Sequence, residues 1–248
     1  MRKLCLLPLL LLFGLFTSNQ IIAQDSTKAA LQISILTCAP GEDVYTAWGH
    51  TAIRIIDSAK QTDVVYNFGT FDFNTPNFYL KFAQGKLNYK IGANHFSDFY
   101  QSYVAQNRQV TEQILNLNFE EKEKLYKFLI RNYRPENQDY LYDFFYDNCA
   151  TKIKDVAQIA TGNTITFHTP ENLETESFRS LIYQNVKPNS WGGFGIDLAL
   201  GSVIDRDIDS KHFMFLPEYI SLFFDNATLK NDLPLVAESK ILYESKEA

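Results

Sequence analysis

The segment Tyr146-Asp147-Asn148-Cys149-Ala150-Thr151 carries the residue type best suited to covalent chemistry. Asn148 is a good helix cap, and Ile153, Val156, Ala157 and Ala160 follow at i, i+3, i+4 and i+7, which predicts a helix stopped by Gly162. A cysteine in the first turn of that helix lies beside N–H groups that lack helical partners, at the positive end of the helix dipole. Both lower a thiol pKa and raise the fraction present as nucleophilic thiolate. The same N–H groups suit an oxyanion. The plainer alternative is a small side chain packed at a helix start.

A thiol nucleophile needs a base, and His50 is the best placed of the four histidines, since Trp48-Gly49-His50 leads into a predicted strand. His95 precedes a helix, His168 lies in a loop before Pro170, and His212 falls in a polar stretch. A third group normally orients the imidazole. Asn67, in Tyr66-Asn67-Phe68, either accepts the other ring N–H or makes a turn hydrogen bond before Gly69. Arg54 shares the His50 face of its strand, and either binds an anionic group of the substrate or pairs with an acid. The candidate site is therefore Cys149, His50 and Asn67 as catalytic groups, with Arg54 for substrate.

Neither a metal nor a cofactor is expected. Asp205, Asp207 and Asp209 imitate the opening of a calcium loop, but Ser210 and Leu216 stand where a Gly and a Glu are needed. A tight Cys/His cluster for zinc is absent. Gly192-Gly193-Phe194-Gly195 neither follows a clear strand nor opens a predicted helix, so it reads as a loop and not as a nucleotide cradle.

The elements that must position these groups are mixed. Strands are predicted over Leu31–Leu36, His50–Ile56, Val64–Phe68 and Val110–Leu117. An aromatic-rich stretch runs to Tyr89, and a helix is predicted from a cap at Ser97. Asn118 and Glu121 form a capping box for a helix that ends before Pro135. Further helices are predicted around Phe178 to Gln184 and after Pro217, with a strand or turn near Ala199 to Ile204. Without a regular βαβ repeat the fold class is α+β.

The 248 residues are 46% hydrophobic and 21% charged, which excludes a disordered or fibrous chain. Arg2 and Lys3 precede the apolar run Leu4 to Phe16, and Ile21-Ile22-Ala23 closes a secretory signal peptide over 1–23, leaving one domain over 24–248. Cys5 would leave with it. The remaining 21 basic against 29 acidic side chains repel phosphate backbones, so nucleic acid is excluded as a partner. No later apolar run reaches the length of a membrane helix. Cys38 and Cys149 remain in an oxidising compartment, and a disulfide between them would block the nucleophile.

Several runs together resemble a known family: Trp48-Gly49-His50-Thr51-Ala52-Ile53-Arg54-Ile55, Tyr66-Asn67-Phe68-Gly69-Thr70-Phe71-Asp72-Phe73 and Tyr142-Asp143-Phe144-Phe145-Tyr146-Asp147-Asn148-Cys149-Ala150-Thr151. Leu115-Asn116-Leu117, Phe178-Arg179, Gly195-Ile196-Asp197-Leu198 with Gly201, and Phe215-Leu216-Pro217 fit the same pattern. The family is the Lnb N-terminal periplasmic domain, first catalogued as a domain of unknown function. The resemblance implies a periplasmic location and a circularly permuted papain-like, NlpC/P60-type fold, an antiparallel sheet packed on helices. His before Cys is the order such a permutation gives. It also implies a Cys149–His50 site and transfer of a fatty acyl chain from phospholipid to the α-amine of a lipoprotein.

The rival readings are a cell-wall peptide amidase or peptidase of NlpC/P60 type and a non-catalytic binding module. The family's acyltransferase has membrane spans after this domain, whereas here access to lipid must come from aromatic surface or a membrane protein partner. The aromatics flanking His50 and Cys149 predict an aromatic-walled cleft around the thiol.

Overall fold

A computed structural model describes residues 31–246 apart from 73, 78–80, 82–83 and 85. The expected signal peptide, Phe73 and Glu247 lie outside the described residues.

Seven strands make one antiparallel sheet: β1 (Leu31–Cys38), β2 (His50–Asp57), β3 (Thr62–Thr70), β4 (Asn88–His95), β5 (Val110–Leu115), β6 (Asp139–Leu141) and β7 (Val236–Tyr243), in the order β7-β5-β1-β2-β3-β4-β6. Among the described residues six α-helices pack around it: α1 (Phe96–Ala105), α2 (Phe119–Asn132), α3 (Cys149–Thr161), α4 (Phe178–Tyr183), α5 (Trp191–Leu200) and α6 (Pro217–Asp225). The class is α+β, as the element pattern predicts. No helix among the described residues is long and apolar enough to cross a membrane.

The central strands are buried on both faces because helices cover both. Ile33 and Ile35 of β1, with Ile53 and Ile55 of β2, join the larger core with Leu125 and Leu129 of α2 and Ile153 of α3. Each such side chain, taken from water, stabilises the fold by about 1.5–3 kcal/mol. On the opposite face Leu36, Cys38 and Ala52 pack with Phe99 of α1 in a smaller core. Period-2 alternation therefore sends His50 and Thr51 to opposite faces of β2.

The capping boxes at Asn118 and Asn148 are both formed. Other boundaries differ from the sequence reading. Helix α1 starts at Phe96 behind His95, with no side-chain cap, and not behind Ser97. The glycine run expected as a loop is the first turn of α5: Ser190 accepts from the Gly193 N–H at 3.0 Å, and Arg179 of α4 pairs with Asp197. A tertiary clamp thus overrides poor helix propensity. Strands β4 and β7 lie where no strand was expected. In β4 only Tyr89 and Ile91 alternate before Gly92-Ala93-Asn94-His95, and β7 is a charged edge strand with register shifts, so neither carries a clean period-2 signal.

Candidate active site

The site forms where two neighbouring strands part. Pairing of β2 with β3 runs from Asp57↔Thr62 to Ile53↔Tyr66, so Thr51 and His50 extend beyond the shared ladder. On its other edge β3 is bulged against β4 between Asn67 and Thr70, and Gly69 in the bulge has φ 88°. Bulges bend a strand and stop its pairing, which they do here at the site.

The entry to β2 is pinned on both sides. Trp48 Nε1 donates to the Ile182 carbonyl of α4 at 3.4 Å, and its ring lies edge-on to Phe144 with centroids 5.0 Å apart. Gly49 has φ 79°, and a Cβ there would sit 2.5 Å from the Cys38 carbonyl oxygen, so glycine is required. His50 follows at once and cannot wander.

Cys149 arrives from the other direction on α3. Asn148 is buried; its Oδ1 accepts from the Ala150 and Thr151 N–H groups at 2.8 and 3.0 Å, and its Nδ2 donates to the Phe144 and Phe215 carbonyls at 2.6 and 2.8 Å. The helix start is thereby bolted to the core. A Cβ on Gly69 would lie 3.7 Å from Cys149 Cβ, so the helix N-terminus rests directly on the bulged strand. One expectation is corrected here. The Ala150 and Thr151 donors are consumed by the cap and the Lys152 N–H bonds the Asn148 carbonyl, which leaves the Cys149 N–H as the first-turn donor for an oxyanion.

His50 brings the groups together. Its Nε2 lies 3.1 Å from Asn67 Oδ1. Asn67 Nδ2 donates to the Val65 carbonyl at 3.4 Å and to Asn94 Oδ1 at 3.2 Å, so the amide oxygen faces the ring and Nε2 carries the hydrogen. Nδ1 is then the unprotonated nitrogen, available as a base for the Cys149 thiol; the two groups are close enough that Cys149 raises the pKa of His50 and His50 lowers that of Cys149. This is the tautomer a general base requires.

Electrostatics follow the geometry. Burial alone would raise the Cys149 pKa, but the hydrogen bond and charge of His50, with donation from Thr51, outweigh it and hold the thiol below its ordinary value. Burial likewise opposes charge on His50, yet the Cys149 and Asn67 bonds carry its pKa upward. The two shifts have opposite signs, as a thiolate–imidazolium pair demands. Both side chains are half-buried and so reachable by a reagent or substrate.

Thr51 was not singled out by the sequence reading, which placed it with Ile53 and Ile55 on the strand face opposite His50. It is fully buried, and its hydroxyl has no hydrogen-bond partner. Past the end of the β3 ladder, its hydroxyl and backbone N–H lie close enough to the Cys149 sulfur to lower the thiol's pKa. Asn94, which orients Asn67, was likewise missed.

Arg54 takes the paired-acid alternative. Its guanidinium bonds Asp63 at 2.7 and 2.9 Å and Glu112 at 3.0 Å, and stacks on Phe96 at 3.3 Å. Glu112 is wholly buried and also meets Ser34 and Lys240. Arg54 is thus a tie across the sheet, away from the residues lining the cleft beside His50. His168 bonds Thr228 and His212 packs on Phe178 and Tyr146, so neither joins Cys149.

Cys38 and Cys149 are both free. Cys38 is buried and its thiol is pushed up to about 12 by that burial, against the opposing effects of Arg108 and Tyr103.

The cleft beside His50 has a volume of about 310 Å³. Phe68, Phe99 and Tyr103 line part of it, and Asn67, Asn94, Asp98 and Ser102 line the rest. The predicted aromatic wall is therefore only partial. Phe144 and Phe145 instead pack on Phe178 and Phe215, with Phe145 to Phe178 centroids 4.3 Å apart, because those rings anchor the start of α3.

A family model matches the chain over residues 18–184, the Lnb N-terminal periplasmic domain. Cys149, His50, Asn67, Thr51 and Asn94 all fall within the match, whereas α5 and α6 lie beyond it. Neither a curated protein nor a solved structure gives a match to the chain.

Proposed function

The chain belongs to the Lnb N-terminal periplasmic domain family, and from that premise and the site geometry we propose that it is an exported thiol enzyme that transfers or hydrolyses acyl groups of lipid or lipoprotein substrates. The observation that supports this reading is a single imidazole held by Asn67 through Nε2 and close enough to Cys149 to lower the thiol's pKa. A packed structural cysteine needs neither contact. Residues 1–23 serve as the signal peptide that takes the chain to the periplasm. The fold is a permuted papain-like one, supported by a helix-start cysteine packed against an antiparallel sheet that bears the histidine and asparagine.

In the proposed cycle His50 Nδ1 takes the Cys149 proton and the thiolate attacks an ester carbonyl carbon. The C–S bond forms as the oxyanion points toward the Cys149 N–H. On collapse the C–O bond breaks, and His50⁺ gives its proton to the departing alkoxide, leaving an acyl thioester. An amine or water then attacks, its proton passes to His50, the C–S bond breaks and the proton returns to sulfur. No cofactor enters the balance.

The polar half of the cleft favours a second reading, hydrolysis of a peptide amide, for which Asn94, Asp98 and Ser102 supply hydrogen-bonding partners. Intact-mass measurement after incubation with phospholipid separates them. An acyl mass increment on Cys149, absent in Cys149→Ser, is the expected result. No increment, with cleavage of cell-wall peptides, would replace the lipid reading with the amidase.

A further inference from the structure

Helix α5 presents an apolar face that nothing in the fold covers. Trp191 is 91% exposed, Phe194 59% and Leu198 77%, at i, i+3 and i+7, and Val203 on the following turn is 69% exposed. Trp191 and Phe194 touch edge-on, with centroids 6.3 Å apart, so the stripe is continuous at its head. Between Pro188 and Ile204 the sole ionisable side chain is Asp197. It is paired with Arg179 and with the Tyr183 hydroxyl, and the exposed stripe of Trp191, Phe194, Leu198 and Val203 is itself apolar.

We propose that α5 seats the protein on a phospholipid bilayer, its Trp191, Phe194 and Leu198 side chains entering the interfacial zone. The proposal deepens the lipid reading above and rests on it for the identity of the occupant. Size and charge together argue against a second copy as the occupant. With aromatic side chains covering about 150–250 Å² each, the four side chains expose on the order of 600 Å². That is the lower end of the roughly 600–1,000 Å² per partner that a specific protein interface buries, and two copies of this acidic chain repel each other. A bilayer needs no complementary partner surface. It accepts a short uncharged stripe headed by tryptophan, the residue most at home at the boundary of headgroup and acyl chain. Because the chain after residue 23 carries 21 basic against 29 acidic side chains, a net charge of −8, attraction to anionic lipid does not drive the contact, and added salt should not weaken binding.

Placement joins this face to the site. Helix α4 holds α5 through Arg179 and Asp197, and the same α4 accepts the Trp48 hydrogen bond that pins the entry to His50. A docked α5 thus fixes the thiol at a set position relative to the bilayer.

The test uses vesicles of phosphatidylethanolamine and phosphatidylglycerol whose acyl chains are brominated. In Trp48→Phe protein, Trp191 is the one remaining tryptophan and α5 is unaltered. The expected result is a blue shift and strong quenching of Trp191, not weakened by salt. Flotation with unbrominated vesicles should fall about tenfold in Trp191→Ser/Phe194→Ser/Leu198→Ser. Unquenched Trp191 on protein that floats as well in the triple variant would overturn the proposal, since the contact would lie elsewhere. So would a doubled mass by light scattering that the triple variant abolishes without any flotation of the parent. The Cys149 adduct from short-chain, detergent-dispersed phospholipid should persist in the triple variant. Its absence from the parent alongside quenched Trp191 would sink the acyl chemistry and leave the docking face standing.

Discussion

His50 and Thr51 are adjacent in sequence, lie on opposite faces of β2, and both lower the pKa of one thiol, that of Cys149. His50 supplies charge, while the Thr51 hydroxyl and N–H are donors that favour thiolate. Replacing Thr51 with Val keeps its volume and removes the hydroxyl. Alkylation of Cys149 near pH 7 should then slow about 2- to 10-fold, as expected for one lost hydrogen bond, with Thr51→Ser recovering most of it. Asn67→Ala should slow alkylation comparably and leave unfolding nearly unchanged, since it frees the imidazole to turn; an unaltered rate would deny Asn67 its positioning role. Residue types and order sufficed to select Cys149, His50 and Asn67. They did not reveal Thr51, whose hydroxyl gains meaning only from the local parting of β2 and β3.

At the scale of elements, the site depends on where ladders stop and helices start. Gly49→Ala places a Cβ against the Cys38 carbonyl at a left-handed backbone position, and should cost about 1–3 kcal/mol in chemical denaturation while displacing His50. Asn148→Ala strips the cap and leaves two buried carbonyls without their donor, with an expected loss of about 1–3 kcal/mol. Arg54→Ala should lower stability by about 3–5 kcal/mol by leaving Glu112 short of a partner, and should leave the thiol's pH profile in place. The capping box at Asn118, the cap at Asn148 and the core strands were readable because local chemistry and periodicity agree there. Strands β4 and β7 and helix α5 were not, since the sheet edge and the Arg179 clamp define them from outside their own sequence.

For the whole molecule, the sequence predicts export, and the family match agrees in locating such domains in the periplasm. Mass spectrometry of the exported protein should find a new N-terminus after Ala23 or Gln24; an N-terminus still at Met1 would remove the signal peptide. The aromatic residues, abundant in the composition, divide between two tasks. Phe144, Phe145, Phe178 and Phe215 hold the start of α3, and Trp191 and Phe194 face outward on α5. Composition alone cannot divide them, because both uses need the same residue types.

The activated thiol is tested most directly by the rate of Cys149 alkylation across pH. Cys38, pushed up to about 12 and buried, stays silent below strongly alkaline pH, so the label reports Cys149. Since the Cys149 pKa lies below the ordinary value of 9.0, reaction should turn on at lower pH than for a free thiol. In His50→Ala the lowering is lost while burial still raises the pKa, so the midpoint should move upward and the rate at pH 7 should fall about tenfold or more. Superimposed profiles for the parent and His50→Ala would contradict the pairing of Cys149 with His50.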